Sequence, residues 1–136
     1  MRRRFLPLLL VAAVVAFPGG AAAAWALSGS GSSAAKAKTL GSGNQPTASA
    51  LLQTVTVSWA ASSFTTGGAV PGYVVRRYDV TTGVGVNATN GCSGIVTALT
   101  CTETSVPVGA WQYTVTPATG NWRGPESPKS GVVVVV

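Results

Sequence analysis

Three segments in which bulky and polar residues alternate constrain the fold of this chain most strongly: Thr54–Trp59, Gly72–Asp79 and Ala110–Pro117. A period of two places alternate side chains on one face of a strand. Each segment therefore predicts a strand with one buried face, and two sheets built from such strands can close over their apolar faces. The predicted core includes the aromatic residues Trp59, Tyr73, Trp111 and Tyr113.

The rest of the chain continues this pattern of short strands separated by turns. Only 9% of the residues are charged, and 17 glycines with many Thr, Ser and Val favour strands and turns over helices. No helix of any length is predicted, and 136 residues suffice for one modest domain and a leader. The predicted strands are Thr47–Leu52, Thr54–Ala60, Gly72–Asp79, Val84–Asn87, Ile95–Thr100, Cys101–Val106, Trp111–Pro117 and Gly131–Val136.

These segments resemble a bacterial fibronectin type III domain over residues 46–136. The matching motifs are Thr54–Trp59, Gly72–Val75, Val106–Val115 and Trp122–Ser127. The resemblance implies an all-β, seven-stranded fibronectin type III or immunoglobulin-like β-sandwich with a Greek-key path. Trp111 stands where the family has its corner tyrosine, so the usual bond from that hydroxyl to the backbone is not expected. Tyr113, on the same face, supplies a polar tip instead.

The N-terminus has the pattern of a targeting segment. Arg2–Arg4 are basic, Phe5–Phe17 is apolar, and Ala21–Ala26 offers small residues for a signal peptidase. Residues 1–26 are therefore predicted to be a signal peptide, and the protein to be secreted or at the cell surface. One alternative is an uncleaved membrane anchor. Another is processing by the endoplasmic-reticulum-type bacterial signal peptidase, because Trp25–Ser32 resembles the tail of such leaders.

Residues 27–45 are predicted to form a flexible Gly/Ser/Ala linker before a domain at 46–136, because they contain almost no bulky side chain. Lys36 and Lys38 add positive charge to this linker. The formal charge of the chain is +6, but Arg2–Arg4 supply half of it, which is weak support for a nucleic-acid partner. We therefore expect that the protein binds no nucleic acid. We expect contact with a membrane only through an uncleaved leader.

The two cysteines, Cys92 and Cys101, enclose a short loop. Export favours their oxidation, so a disulfide is expected, which by loop-closure entropy stabilises the fold by about 2–3 kcal/mol. The spacing differs from that of Cys-x-x-Cys redox sites, and a chain without histidine lacks the ligands of a structural zinc site. No metal or other cofactor is predicted.

The acidic residues are too few and too dispersed for acid-base catalysis. Asp79, Glu103 and Glu126 lie in different segments and are interpreted as solvated charges at strand ends or in loops. The Gly-Ser-Gly stretches neither follow a strand nor open a helix, so they form no nucleophile elbow. The sequence therefore predicts a protein that is not an enzyme.

Binding residues are predicted on the outer faces and loops of the sandwich. Arg76 and Tyr78 share the solvent side of their strand, and Trp122 with Arg123 lies in a loop that many sandwiches use for recognition. An exposed Trp beside an Arg can stack on a sugar ring or anchor a protein partner. The alternative is that Trp122 folds back over the open end of the core.

The terminal run Val132–Val136 has two interpretations. It forms a last strand beside Trp111–Pro117, or it adds to the sheet edge of a neighbouring copy and builds a fibre. Three functions follow for an exported domain of this kind: an interaction or spacer module that binds an extracellular protein or polysaccharide, a self-associating fibre subunit, and a carbohydrate-binding accessory module. Fold alone does not choose among them.

Overall fold

The computed structural model describes residues 38–136, and the predicted leader and the first part of the linker lie outside this range. The strands of the described chain are β1 (Thr47–Leu51), β2 (Thr54–Ser58), β3 (Gly72–Asp79), β4 (Gly85–Asn87), β5 (Thr100–Glu103), β6 (Gly109–Thr119), β7 (Trp122–Arg123) and β8 (Val133–Val135). A 3₁₀ turn, Asn90–Cys92, lies between β4 and β5. Within residues 38–136, no helix is long and apolar enough to cross a membrane.

The strands form two antiparallel sheets. The first has the order β1-β2-β5, and the second has the order β4-β3-β6-β7 with β8 beside β6. All eight residues of β3 pair with β6, from Gly72 opposite Ala118 to Asp79 opposite Trp111. This long pairing fixes the two ends of the sandwich: the turn between β6 and β7 lies at one end, and the start of β6 with β8 lies at the other.

The facing sides of the two sheets form one core, as the alternation predicts. Trp59, Tyr73 and Tyr113 are buried, and the rings of Trp59 and Tyr73 pack edge to face with 5.5 Å between their centroids. Trp111 is half-buried against this core, and its Nε1–H donates to the carbonyl oxygen of Pro107 at 2.8 Å. The indole of Trp111 thus makes a hydrogen bond to the backbone at the position where the family uses the hydroxyl of its corner tyrosine.

Glu103 contradicts the prediction that all three acidic residues are solvated, because it is 0% exposed. On β5 it points into the core, where Oε1 accepts from Nη1 of Arg77 at 2.6 Å and from the backbone N–H and hydroxyl of Thr89 at 2.8 and 3.0 Å. Its Oε2 accepts from the hydroxyl of Tyr113 at 2.8 Å. These bonds and the paired guanidinium offset the cost of burying the carboxylate.

The predicted strand Ile95–Thr100 is wrong for most of its length. These residues form a connection between the sheets, in which Val96 pairs with Tyr73 and the carbonyl of Leu99 accepts from the backbone of Trp59. Isolated contacts with β3 and with the residue after β2 replace a continuous ladder, so the apolar side chains here do not alternate into the core. A strand begins only at Thr100, the first residue of β5.

The last strand is divided into β7 and β8 but follows β6 along its length. Between the two pieces, the hydroxyls of Ser127 and Ser130 accept from the backbone N–H groups of Val115 and Tyr113, each at 2.9 Å. The N–H groups of the two serines donate in return to the carbonyls of Val115 and Tyr113. Counted as one strand, β7 and β8 complete a seven-stranded sandwich.

The valine run forms the end of this strand. Residues 133–135 pair with Gly109–Trp111, and Val133 and Val135 are buried while Val132, Val134 and Val136 are exposed. The interpretation as a last strand that buries alternate valines is therefore confirmed.

The described part of the predicted linker packs against the sandwich, so the boundary at residue 46 is too late. Leu40 is buried and pairs with Phe64. The N–H of Gly43 donates to the carbonyl of Pro125 at 3.0 Å, and the side-chain amide of Asn44 donates to the carbonyl of Ala61 at 2.9 Å. Burial of the apolar side chain of Leu40 adds to these hydrogen bonds in holding the stretch against the sandwich.

Cys92 and Cys101 form the predicted disulfide, with Cα atoms 5.1 Å apart. It joins the 3₁₀ turn to β5 beside the buried Glu103. Within residues 38–136, no three His, Cys, Asp or Glu side chains come together to hold a metal ion.

Candidate functional site

An open groove of about 540 Å³ lies at the end of the sandwich where β6 turns into β7. We call it the Trp122 groove. Its lining consists of Lys38, Phe64, Thr119, Gly120, Asn121 and Trp122. The lining therefore combines two aromatic rings, one ammonium group and the polar side chains of a tight turn.

The turn between β6 and β7 positions Trp122. Thr119 pairs with Trp122, which leaves Gly120 and Asn121 as the two loop residues, and Gly120 has a φ of 56° that suits glycine. Cross-strand partners share a face of a sheet, so Trp122 continues the inward row of β6 beyond the end of the core. It is 68% exposed and does not fold back over the core.

Phe64 and Lys38 also line the groove, and the sequence did not connect either residue with Trp122. The bridge between Leu40 and Phe64 carries the N-terminal segment across this end of the sandwich. The Nζ atom of Lys38 then lies 5.3 Å from the centroid of the Phe64 ring. Only the three-dimensional path of residues 38–40 brings these groups together, so no local sequence pattern reveals the groove.

Arg123 is exposed beside Trp122, but it does not line the groove. Its Nη1 donates to the carbonyl oxygens of Gly120 and Trp122, both at 2.9 Å. The guanidinium therefore stabilises the turn that presents Trp122 and adds positive charge next to the groove.

Arg76 and Tyr78 lie on the outer face of the second sheet, as predicted, within a separate polar cluster. Arg76 donates to the carbonyl of Gly85 at 3.0 Å, and its Cζ lies 5.3 Å from the centroid of the Tyr78 ring. The Nζ of Lys129 lies 4.6 Å from the same centroid, and the Tyr78 hydroxyl donates to Glu126. Partial burial, followed by the bond to Glu126, raises the pKa of Tyr78.

The four residues predicted to bind a partner, Arg76, Tyr78, Trp122 and Arg123, therefore lie on two separate surfaces. Arg123 pairs with Ala118, which is opposite Gly72 at the start of β3. Tyr78 is six residues farther along the same strand, a distance of about 20 Å. In the Tyr78 cluster the polar groups mainly contact one another. The Trp122 groove instead presents its indole and polar side chains to solvent, so it is the better candidate for binding.

No protein-family model matches the chain, and no curated protein matches it. Among solved structures it is similar to domains A168-A170 from titin, with a TM-score of 0.60 and 13% identity over 71% of this chain and 32% of that chain. A Fn3-like protein from Clostridium thermocellum aligns with a TM-score of 0.52 and 17% identity over 74% of this chain and 96% of that chain. Titin module A71 from human cardiac muscle aligns with a TM-score of 0.51 and 20% identity over 71% of this chain and 90% of that chain.

The chain thus spans only 32% of the titin fragment but corresponds to most of each of the other two proteins. At these identities the similarity establishes the fold and leaves function to be argued from the site. With two packed sheets and no α-helix in its described part, the protein has an all-β, seven-stranded sandwich fold of the fibronectin type III and immunoglobulin-like type.

Proposed function

We propose that the protein is an exported, non-enzymatic interaction module that binds an extracellular partner through the Trp122 groove. The observation that carries this proposal is the exposure of Trp122, the only aromatic residue among the large exposed hydrophobic residues of the described chain. Tryptophan is enriched among the few residues that contribute most of the binding energy of protein interfaces. Covering this indole removes apolar area from water that is worth about 3 kcal/mol.

The remaining support comes from the cysteines and the acidic residues. The disulfide between Cys92 and Cys101 is the bond expected in an oxidising, extracytoplasmic compartment, in keeping with the leader-like N-terminus. Glu103 is buried, with both carboxylate oxygens bonded. Asp79 accepts from the backbone of Thr81 in its own turn. These carboxylates serve the fold, which favours a binding role over a catalytic one.

The proposal is tested by presenting the full chain to the surface polysaccharides and secreted proteins of its own host. The wild-type protein is expected to bind at least one of these components, and the Trp122→Ala variant is expected to lose most of that binding. Val84→Ala is the matched control, because Val84 is 60% exposed in the loop between β3 and β4, away from the groove and outside any surface proposed for binding. Equal retention by wild type and Trp122→Ala would exclude the groove as the binding site.

A second candidate function, a subunit of a surface or matrix fibre, is favoured by a different surface. Five aliphatic residues that are 63–77% exposed lie at the end of the sandwich opposite the groove: Leu51, Leu52, Val108, Val134 and Val136. Val135 pairs with Gly109, and the carbonyl of Gln53 accepts from Val106, which gathers the three chain segments at this aliphatic end. Exposed apolar groups of this kind favour association, and a contact between unlike ends does not close on itself.

A further inference from the structure

We infer that the Trp122 groove binds acidic polysaccharides, through hexuronate residues of the sugar chain. This inference rests on the proposed function, because it names the ligand class of the same groove. Three features of the groove carry it: an exposed indole, turn residues whose side chains bond no other residue of the described chain, and a cation that pairs with no carboxylate among residues 38–136.

The indole of Trp122 is suited to a pyranose ring. The axial C–H groups on one side of a hexose form an apolar surface, and a flat aromatic ring covers that surface without requiring hydrogen bonds. Phe64 is half-buried and contributes a second aromatic ring to the lining of the groove. In the same lining, the side chains of Thr119 and Asn121 offer a hydroxyl and an amide to the hydroxyl groups of a sugar.

The charge at the groove selects an acidic sugar over a neutral one. The ammonium group of Lys38 lines the groove over the Phe64 ring, and Arg123 follows Trp122 directly in β7. Each described carboxylate is engaged elsewhere: Glu103 is buried, Asp79 bonds its own turn, and Glu126 accepts from Tyr78. A hexuronate carboxylate can therefore pair with Lys38 while its ring stacks on Trp122.

The openness of the groove limits the expected affinity. Few contacts surround a single stacked sugar, so the dissociation constant is expected to be about 0.1–1 mM. An exposed ion pair contributes little, and it is screened by salt. A hexuronate oligomer is therefore expected to bind roughly 3–5-fold more tightly than its neutral analogue at low salt, with the difference disappearing at high salt.

The test uses the full chain, a galacturonate oligomer and its fully methyl-esterified, neutral form of the same length. Binding is followed by the NMR resonances of the Trp122 indole N–H and of the Asn121 side-chain amide, because Asn121 also lines the groove and its resonance remains in Trp122→Ala. Trp122→Ala is expected to abolish binding of both oligomers. Lys38→Gln is expected to preserve binding of the neutral oligomer and to remove the preference for the acidic one. Lys129→Gln, which removes the same charge at Tyr78, is the matched control and is expected to behave as wild type.

The outcomes separate this inference from the proposed function. Equal binding of the two oligomers, or equal effects of Lys38→Gln and Lys129→Gln, would overturn the inference that the ligand is acidic. The groove would remain a candidate interaction site. An indole resonance that neither oligomer moves also overturns the inference, even where Trp122→Ala still loses an extracellular protein partner. If Trp122→Ala loses nothing in either experiment, both the inference and the proposed function fail.

Discussion

The carboxylate of Glu103 lies in the core and links the two sheets. It belongs to β5 of the first sheet, whereas its partners Arg77 and Tyr113 belong to β3 and β6 of the second. Strand alternation predicts the inward direction of Arg77 and Tyr113, but a count of three acidic residues does not indicate that one is buried. The ion pair forms only because the registers of both sheets place opposite charges together.

The buried tyrosine of this cluster makes stability depend on pH. Burial, followed by the bond to Glu103, raises the pKa of Tyr113 above its ordinary 10.0. The folded state therefore keeps the proton at a pH where the unfolded state loses it. The stabilisation is complete below pH 10 and declines above it, by at most about 1.4 kcal/mol per pH unit.

The comparison with Tyr113→Phe isolates this effect. At pH 8 the variant is expected to be about 1–3 kcal/mol less stable, because the carboxylate loses a donor. Urea unfolding from pH 8 to 11 should show this difference shrinking as pH rises. Tyr78 is present in both proteins, so its contribution to the pH dependence cancels in the comparison. A difference that stays constant up to pH 11 would contradict the raised pKa.

At the scale of elements, serine hydroxyls between β7 and β8 accept the hydrogen bonds from β6 that backbone carbonyls would accept in a continuous strand. Ser127→Ala leaves the N–H of Val115 buried without its acceptor. We expect the free energy of unfolding to fall by about 1–3 kcal/mol and hydrogen exchange of the Val115 amide to accelerate.

Two controls accompany this variant. The Tyr113 amide, which donates to Ser130, should keep its protection in Ser127→Ala. Ser49→Ala, on the exposed face of β1, should leave both stability and exchange unchanged. Unchanged exchange at Val115 would show that the hydroxyl of Ser127 is not its acceptor.

The accuracy of the sequence predictions also depends on the element. Regular alternation with aromatic anchors predicted β2, β3 and most of β6, since burial and period coincide there. Residues 95–99 are partly apolar but have no partner strand, so the strand that their β-propensity predicted does not form. The groove was predicted only through Trp122, because Phe64 and Lys38 meet it after the N-terminal segment has packed across the end of the domain.

For the whole molecule, the decisive property is that its two ends differ. One end carries an open groove with an aromatic ring and a cation, and the other carries exposed aliphatic side chains. The valine strand belongs to the second end, and it has both a buried and an exposed face. Variants on these two faces therefore distinguish a folding role from an assembly role.

Deletion of residues 132–136 is expected to prevent folding, because it removes the buried Val133 and Val135 and the strand beside Gly109–Trp111. Val134→Asp alters only the exposed face and is expected to fold, as circular dichroism can establish. Sedimentation then separates the two candidate functions. An interaction module gives monomers for wild type and Val134→Asp alike, whereas a fibre subunit gives concentration-dependent polymers that Val134→Asp abolishes. A folded deletion product would contradict the structural role of β8, and a folded, monomeric deletion product of a wild type that polymerises would assign the valines to assembly.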